Sequence, residues 1–350
     1  MSVPAGSNYR YISRKRRVKE DKRFVTGAGN YVQDVDLLGT KHVAVLHSPH
    51  PRARILSINV EQALALEGVL YVLTGDEIAE ATSPLYHGIV LPNVRWYPLA
   101  HKMTRYAGEW VVAVVADDRF IAEDALELIE VEYEPLTAII DPEEALNSDA
   151  PMVHPDHGSN IIYDGEFTWG PVNEDFAAAD SSLSFRARWG RSSTVPIETF
   201  GVMGKWDQGT EILQVWASIQ MPNYPEQIAN ALRIPLNSVR VYQDIDVGGS
   251  YGVKRGIKHT VLVSYLARKL QTPVRFTEDR LDNMAGGDAH GPDRIFYTDV
   301  AFNNDGVIKS LKIRAIDDCG AYPGRGPFQL GKPIAAIVGP YKINSIHYEA

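Results

Sequence analysis

Apolar residues along the chain form short runs at strand spacing, separated by stretches at helical spacing. Residues 42–47, 53–60, 69–73 and 110–115 read as strands, with Pro49, Pro51, Gly68 and Thr74-Gly75-Asp76 as punctuation. The spacing predicts a short helix over 59–66, with Asn59 as a cap and Gly68 as a stop. A second helix is predicted over 120–130, where Ile121, Ala125 and Leu128 share a face, and a strand follows over 129–133. Asp141 and Pro142 start a further helical turn.

The same alternation resumes after residues 147–160, a stretch rich in Pro, Asp, Ser, His and Gly that reads as a linker. His154 and His157 lie in it and are expected to be solvated. Strands are predicted over 182–191, 202–207, 213–217, 274–277, 296–302 and 307–316, the last two joined by a turn at Asn303-Asn304-Asp305-Gly306. Helices are predicted over 225–232 and 256–270. The fold class is therefore α+β (mixed α/β), divided as 1–146, a linker 147–160, and 161–350.

Between the strand over 238–244 and the second of these helices lies Asp246-Val-Gly-Gly-Ser-Tyr-Gly-Val-Lys254. Three glycines within five residues permit φ > 0 and close backbone approach, and successive N–H groups can point at one acceptor. On glycines alone, a structural turn and an anion cradle both remain open. No nucleoside-triphosphate loop of the form GxxxxGK[ST] is present, and no GxGxxG follows the first strand.

Composition narrows the classes. A net charge of -9 over 350 residues argues against general nucleic-acid binding, since the only basic run is Arg14-Lys15-Arg16-Arg17. One cysteine, Cys319, excludes an intrachain disulfide and any cysteine-built zinc or iron–sulfur site within this chain. No apolar stretch reaches spanning length, and the N-terminus lacks the order of a secretory signal, so a cytoplasmic protein without a membrane span is expected. His47 and His50 sit in a proline-broken segment and are read as packed or surface groups rather than ligands.

Seven motifs in the first region occur in a telling order: Arg17-Val-Lys-Glu-Asp21 through Phe24-Val-Thr-Gly27, Tyr31-Val-Gln-Asp34, His47-Ser-Pro-His-Pro-Arg-Ala-Arg-Ile55, Gly68-Val-Leu-Tyr-Val-Leu-Thr-Gly75, Tyr106-Ala-Gly-Glu-Trp110 into the following strand, Ala122-Glu-Asp-Ala125 and Val131-Glu-Tyr-Glu-Pro-Leu136. Together they resemble the N-terminal α/β hammerhead domain of the xanthine dehydrogenase/aldehyde oxidase family, the molybdenum hydroxylase large subunits. The second region resembles the first part of the family's molybdopterin-binding domain. The matching runs are Trp216-Ala-Ser-Ile-Gln220, Ile228-Ala-Asn-Ala-Leu232, the glycine stretch, Pro273-Val-Arg-Phe276 with Glu278-Asp-Arg280, Asp318-Cys-Gly-Ala-Tyr322 and Gly339-Pro-Tyr341.

The resemblance implies a role for Gln220 in hydrogen bonding a ligand on molybdenum, and cofactor contacts from Gly248, Gly249, Tyr251 and Gly252. No metal ligand comes directly from the protein. Ser250 and Tyr251 depart from the family's glycine and phenylalanine. Arg255 stands where purine-oxidising members carry a glutamate, which makes it a substrate-pocket candidate and disfavours purines. Glu198 is similar to part of a proline-methionine-glutamate-proline motif and is expected to support the site rather than act as the base.

The general base is expected outside this chain. The implied cofactor is molybdenum-molybdopterin, in its cytosine dinucleotide form, with 2Fe-2S clusters and FAD on partner subunits. The implied partners are the remainder of the large subunit or a second half-subunit, an iron–sulfur subunit and an FAD subunit, together with a small-molecule substrate, in a hetero-oligomer. The expected reaction is hydroxylation of an aldehyde or N-heteroaromatic carbon with water as oxygen source, and the chain alone is expected to be inactive. The alternative is a non-catalytic or half-site scaffold subunit of a split hydroxylase.

Overall fold

The computed structural model describes residues 18–86, 90–286, 291, 293–324, 331 and 336–350. The basic run at 14–17 lies outside them. The first half supplies α1 (Asp21–Val25), β1 (Lys41–His47), β2 (Ala53–Asn59), α2 (Glu61–Ala65), β3 (Val69–Thr74), α3 (Gly75–Ala81), β4 (Met103–Thr104), β5 (Trp110–Ala116), α4 (Arg119–Leu126) and β6 (Glu130–Pro135). The second half supplies β7 (Glu166–Trp169), α5 (Val172–Ala177), β8 (Ser181–Trp189), β9 (Gly201–Asp207), β10 (Ile212–Ala217), α6 (Tyr224–Leu232), β11 (Val239–Tyr242), α7 (Ile257–Leu270), β12 (Val274–Thr277), β13 (Asp293–Phe302), β14 (Ile308–Asp318) and β15 (Ser345–Glu349).

Seven strands from both halves form one sheet in the order β11-β10-β9-β12-β1-β5-β3. The junction is the parallel pairing of β1 with β12, Lys41 opposite Val274. Every residue of β5 is buried. Its continuous apolar sequence follows from cover on both faces. Ala113 and Val115 join the core that includes Val261 and Leu262 of α7, while Val112 and Val114 join the core around Ala122 and Ala125 of α4. A three-stranded sheet, β4-β2-β6, and a five-stranded sheet, β7-β15-β14-β13-β8, complete the fold.

Three expectations are corrected. Thr74-Gly75-Asp76 does not simply end a strand but opens α3, with Asp76 and Glu77 in its first turn; a Cβ at Gly75 would overlap the Ala100 carbonyl, so glycine alone fits there. The first strand of the hairpin is longer than predicted and begins at Asp293, since β8 pairs with β13 as far as Trp189 opposite Arg294. His154 is not solvated: it is buried, its Nε2–H donates to the Ala321 carbonyl at 2.6 Å, and its ring lies 5.5 Å from that of Tyr322. Burial lowers its pKa to about 4.

Candidate functional site

Topology brings the separate sequence motifs to one edge of the large sheet. β10 and β11 are parallel neighbours, Leu213 opposite Val239 and Trp216 opposite Tyr242, so the segments that follow them leave from the same edge. Those segments carry Gln220 and the glycine loop. β9 runs antiparallel to β10 and to β12, so the residues before β9 and after β12 reach that edge too. They carry Glu198 and Glu278.

Gln220 is exposed, and its backbone N–H donates to the Lys254 carbonyl at 3.0 Å. Its Oε1 accepts from the Ser250 hydroxyl and, at 3.2 Å, from the Gly252 N–H. The side chain thus spans the loop. Ser250, a departure from the family pattern, supplies one of the two anchors.

Glu198 holds the loop from the other side. Its Oε2 accepts from the Gly248 N–H at 2.6 Å and from the Lys254 ammonium. Lys254 is fully buried, and burial lowers its pKa while Glu198 opposes the shift. A Cβ at Gly248 would come within 2.6 Å of Glu198 Cβ, which explains glycine there. Gly249 has φ +95° and Tyr251 φ +52°. A bulky residue in the left-handed region is uncommon and marks a constrained backbone. Tyr251 is 73% exposed, so its hydroxyl needs no buried partner.

The amides of Gly248, Gly249 and Gly252 are thereby used within the protein, the second by the Val247 carbonyl at 3.0 Å. The amides of Ser250 and Tyr251 and the Nε2 of Gln220 have no hydrogen-bond partner among the described residues. This leaves three donors in one loop cluster, a set suited to electron-rich oxygen. Arg255 is half-buried at the foot of the loop, just before α7.

Three further supports carry no assignment from the sequence. Glu278, on the segment after β12, accepts from the Phe200 N–H at 3.0 Å, from Asn283 Nδ2 at 2.9 Å and from His259 Nε2 at 2.7 Å. Burial pushes its carboxyl up, but the charge and hydrogen bond of His259, with the Asn283 and Phe200 donors, more than reverse this, and its pKa falls below the usual range. The Phe200 ring closes against Gly256, where a Cβ would overlap it, and Tyr224 donates its hydroxyl to the Gly256 carbonyl at 2.8 Å. At the loop entrance Asp246 accepts from Arg23 and, at 2.7 Å, from the Asn30 amide. Lys254, the one cation in the Asp246–Lys254 stretch, was the available sequence signal for the Glu198 pair. Nothing in the local sequence pairs Glu278 with His259, because they meet only through α7 and β12.

His47 Nε2 lies 3.0 Å from Asp282 Oδ1, whereas His50 packs edge-on to Tyr133 at 5.1 Å. Among the described residues no three His, Cys, Asp or Glu side chains are grouped to hold a metal ion, and no helix is long and apolar enough to cross a membrane. A cavity of about 920 Å³ lies elsewhere, between the hammerhead side and the five-stranded sheet, lined by residues including Arg52, Arg105, His154 and Tyr322. Neither Gln220 nor the glycine loop lines it.

This arrangement is that of a cofactor-binding α/β domain carrying a hammerhead domain at its N-terminal side. Residues 153–350 match the molybdopterin cofactor-binding domain, and residues 26–137 match the aldehyde oxidase and xanthine dehydrogenase a/b hammerhead domain. The chain belongs to the molybdopterin-binding xanthine dehydrogenase/aldehyde oxidase family of oxidoreductases. It is similar to the 6-hydroxypseudooxynicotine dehydrogenase complex subunit gamma of Paenarthrobacter nicotinovorans, with 30% identity over 97% of this chain and 43% of that protein. It is also similar to the carbon monoxide dehydrogenase large chain of Hydrogenophaga pseudoflava, with 32% identity over 87% of this chain and 39% of that one. Quinoline 2-oxidoreductase from Pseudomonas putida 86 superposes with a TM-score of 0.85 and 35% identity, over 95% of this chain and 43% of the other. The chain thus spans about two fifths of the length of these relatives.

Proposed function

We propose that this chain forms part of the large subunit of a molybdenum hydroxylase that oxidises an aldehyde or N-heteroaromatic carbon. In the overall reaction a C–H bond becomes C–OH, the oxygen comes from water, and two electrons and two protons leave. When bound, the molybdopterin cofactor, in its cytosine dinucleotide form, supplies the two-electron acceptor. The observation that carries the reading is the cluster of Gln220 with the 248–252 loop, fixed at both ends and retaining three unused donors.

The chain's own part is binding and orientation. Gln220 Nε2 and the amides of Ser250 and Tyr251 would donate to cofactor oxygens, with Gly248, Gly249 and Gly252 allowing the close approach. The Lys254–Glu198 pair and the Glu278–His259 pair hold that geometry against thermal motion, so little reorganisation accompanies charge development. Arg255 presents a cation where a carboxylate would be needed to accept a proton from a purine. The substrate class therefore tends toward aldehydes, other N-heterocycles or anionic aromatics.

The general base and the electron-transfer centres belong to polypeptide outside this chain: the remainder of the large subunit or a second half-subunit, a 2Fe-2S subunit and an FAD subunit. The chain by itself is inactive, and the assembly is cytoplasmic. The test is metal and nucleotide analysis of the purified assembly, paired with turnover on aldehyde and N-heteroaromatic panels. Molybdenum with a pterin cytosine dinucleotide, together with water-derived oxygen in the product, supports the reading. An assembly that contains neither metal nor pterin overturns it in favour of a scaffold subunit, and turnover by the isolated chain overturns the division of labour.

A further inference from the structure

No residue of 18–31 is buried, and the first buried side chain of the N-terminal segment is Val32, which faces Gly201 of β9. The exposed stretch is nevertheless fixed. Among the described residues, every hydrogen bond from 18–31 to the second half of the chain goes to Asp244 or Asp246, at the entrance of the glycine loop. Arg23 Nη1 and Nη2 donate to the two carboxylate oxygens of Asp246 at 2.5 and 2.6 Å. Asn30 donates its N–H to Asp246 Oδ2 at 2.7 Å and its Nδ2 to the Asp244 carbonyl at 3.2 Å. Asp246 returns its own N–H to the Asn30 carbonyl at 2.6 Å. Glu20, 3.0 Å from Arg23 Nη2, orients the guanidinium from behind.

The dependence runs both ways. Between the end of β11 at Tyr242 and Gly248, every hydrogen bond to a distant described residue goes to Arg23 or Asn30. Glu198 and Gln220 hold the loop only from Gly248 onward. Positive φ at Gly249 and Tyr251 persists only where the surroundings over-determine the backbone. A two-point guanidinium–carboxylate pair fixes direction as well as distance, which a one-point contact does not. The pair also manages charge. Arg23 first, then the Asn30 amide, holds the Asp246 carboxyl below the usual carboxylate range, so it is ionised at neutral pH. Without Arg23 that carboxylate would stand uncompensated two residues before Gly248, where it would repel the electron-rich oxygen that the loop's free donors suit.

Resting on the cofactor reading above, we infer that residues 18–31 form a strap and that Arg23 is a positioning residue, which through Asp246 sets the geometry and the local charge of the 248–252 loop and hence the retention of the cofactor. Arg23 lies ahead of residues 26–137, the span that matches the hammerhead domain. Strap closure and cofactor binding are then coupled, and each strengthens the other.

The test uses the purified assembly with Arg23→Gln, Arg23→Lys, and Arg23→Gln combined with Asp246→Asn. One readout is amide hydrogen exchange after the cofactor has been stripped from every sample. The other is the pterin retained on dialysis. Arg23→Gln should speed exchange over 246–252 by about 10-fold, the change expected on losing a hydrogen bond to a charged group, with β5 unaffected. Its pterin retention should fall. Arg23→Lys keeps the charge without the fork, so it should recover retention more than loop protection, and it supplies both readings if Arg23→Gln does not fold. Adding Asp246→Asn removes the uncompensated charge and should restore part of the retention while exchange stays fast. Faster exchange confined to 18–34, with 246–252 and pterin retention unchanged, overturns the inference and leaves the cofactor reading standing, since Arg23 then only tethers the N-terminal segment. An equal rise in β5 also overturns it, because the loss is then one of global stability. An unaltered assembly that holds no pterin overturns the cofactor reading and the inference together.

Discussion

The buried Lys254 ammonium and the Gly248 N–H converge on one oxygen, Oε2 of Glu198, so a single carboxylate ties the first and last turns of the glycine loop together. An ion pair taken out of water in this way is costly to half-remove, because the partner charge is left without compensation. Glu198→Gln should therefore destabilise the protein by about 3–5 kcal/mol. Adding Lys254→Met should recover part of that loss. Denaturant unfolding of the single and double variants checks it, and an additive double variant would contradict the pairing.

Gln220 bridges Ser250 and Gly252 through Oε1 and leaves Nε2 for a ligand. In the complete enzyme, Gln220→Ala should lower kcat by about 100-fold, as expected for loss of a positioned donor, while the unfolding midpoint falls only by the loss of its two loop hydrogen bonds. Ser250→Ala removes only one loop anchor and should cost less. Steady-state kinetics of both variants beside thermal unfolding separates the donor role from loop support, and an unchanged kcat for Gln220→Ala would refute the role.

Gly256 and Gly252 offer a steric contrast within a few residues. A Cβ at Gly256 would overlap the Phe200 ring and adopt φ +46°, whereas one at Gly252 meets nothing within 4 Å and is strained only by φ +107°. Gly256→Ala should cost at least about 3 kcal/mol through overpacking and left-handed strain combined. Gly252→Ala should cost less. The order of their urea midpoints decides the point.

His154 gives the acid limb of stability a specific origin. Its pKa is about 4 in the folded protein, lowered chiefly by burial, against an ordinary value of 6.5. Between these values the unfolded chain binds more protons, so stability rises with pH across that window and falls on acidification from 6.5 toward 4. His154→Gln should flatten that slope while retaining a donor to the Ala321 carbonyl. Stability measured from pH 7 to pH 4 would show the same slope in both proteins if another group were responsible.

The sequence by itself determined the mixed α/β class, most strand and helix positions, and the motifs at Gln220 and the 248–252 loop, because apolar periodicity and glycine spacing are local properties. His154 was misread since a Pro- and Asp-rich stretch looks solvated; its burial depends on Tyr322 and Ala321, more than 160 residues away in sequence. Only the tertiary structure decided that both halves share one sheet through β1 and β12, that Glu198 and Lys254 close the loop, and that Glu278 braces Phe200 with His259. It also decided that Gly248 and Gly252 spend their amides inside the protein while Ser250 and Tyr251 keep theirs. These are pairings across strands, and they arise where parallel and antiparallel connections return distant segments to one sheet edge, a geometry that no local pattern encodes.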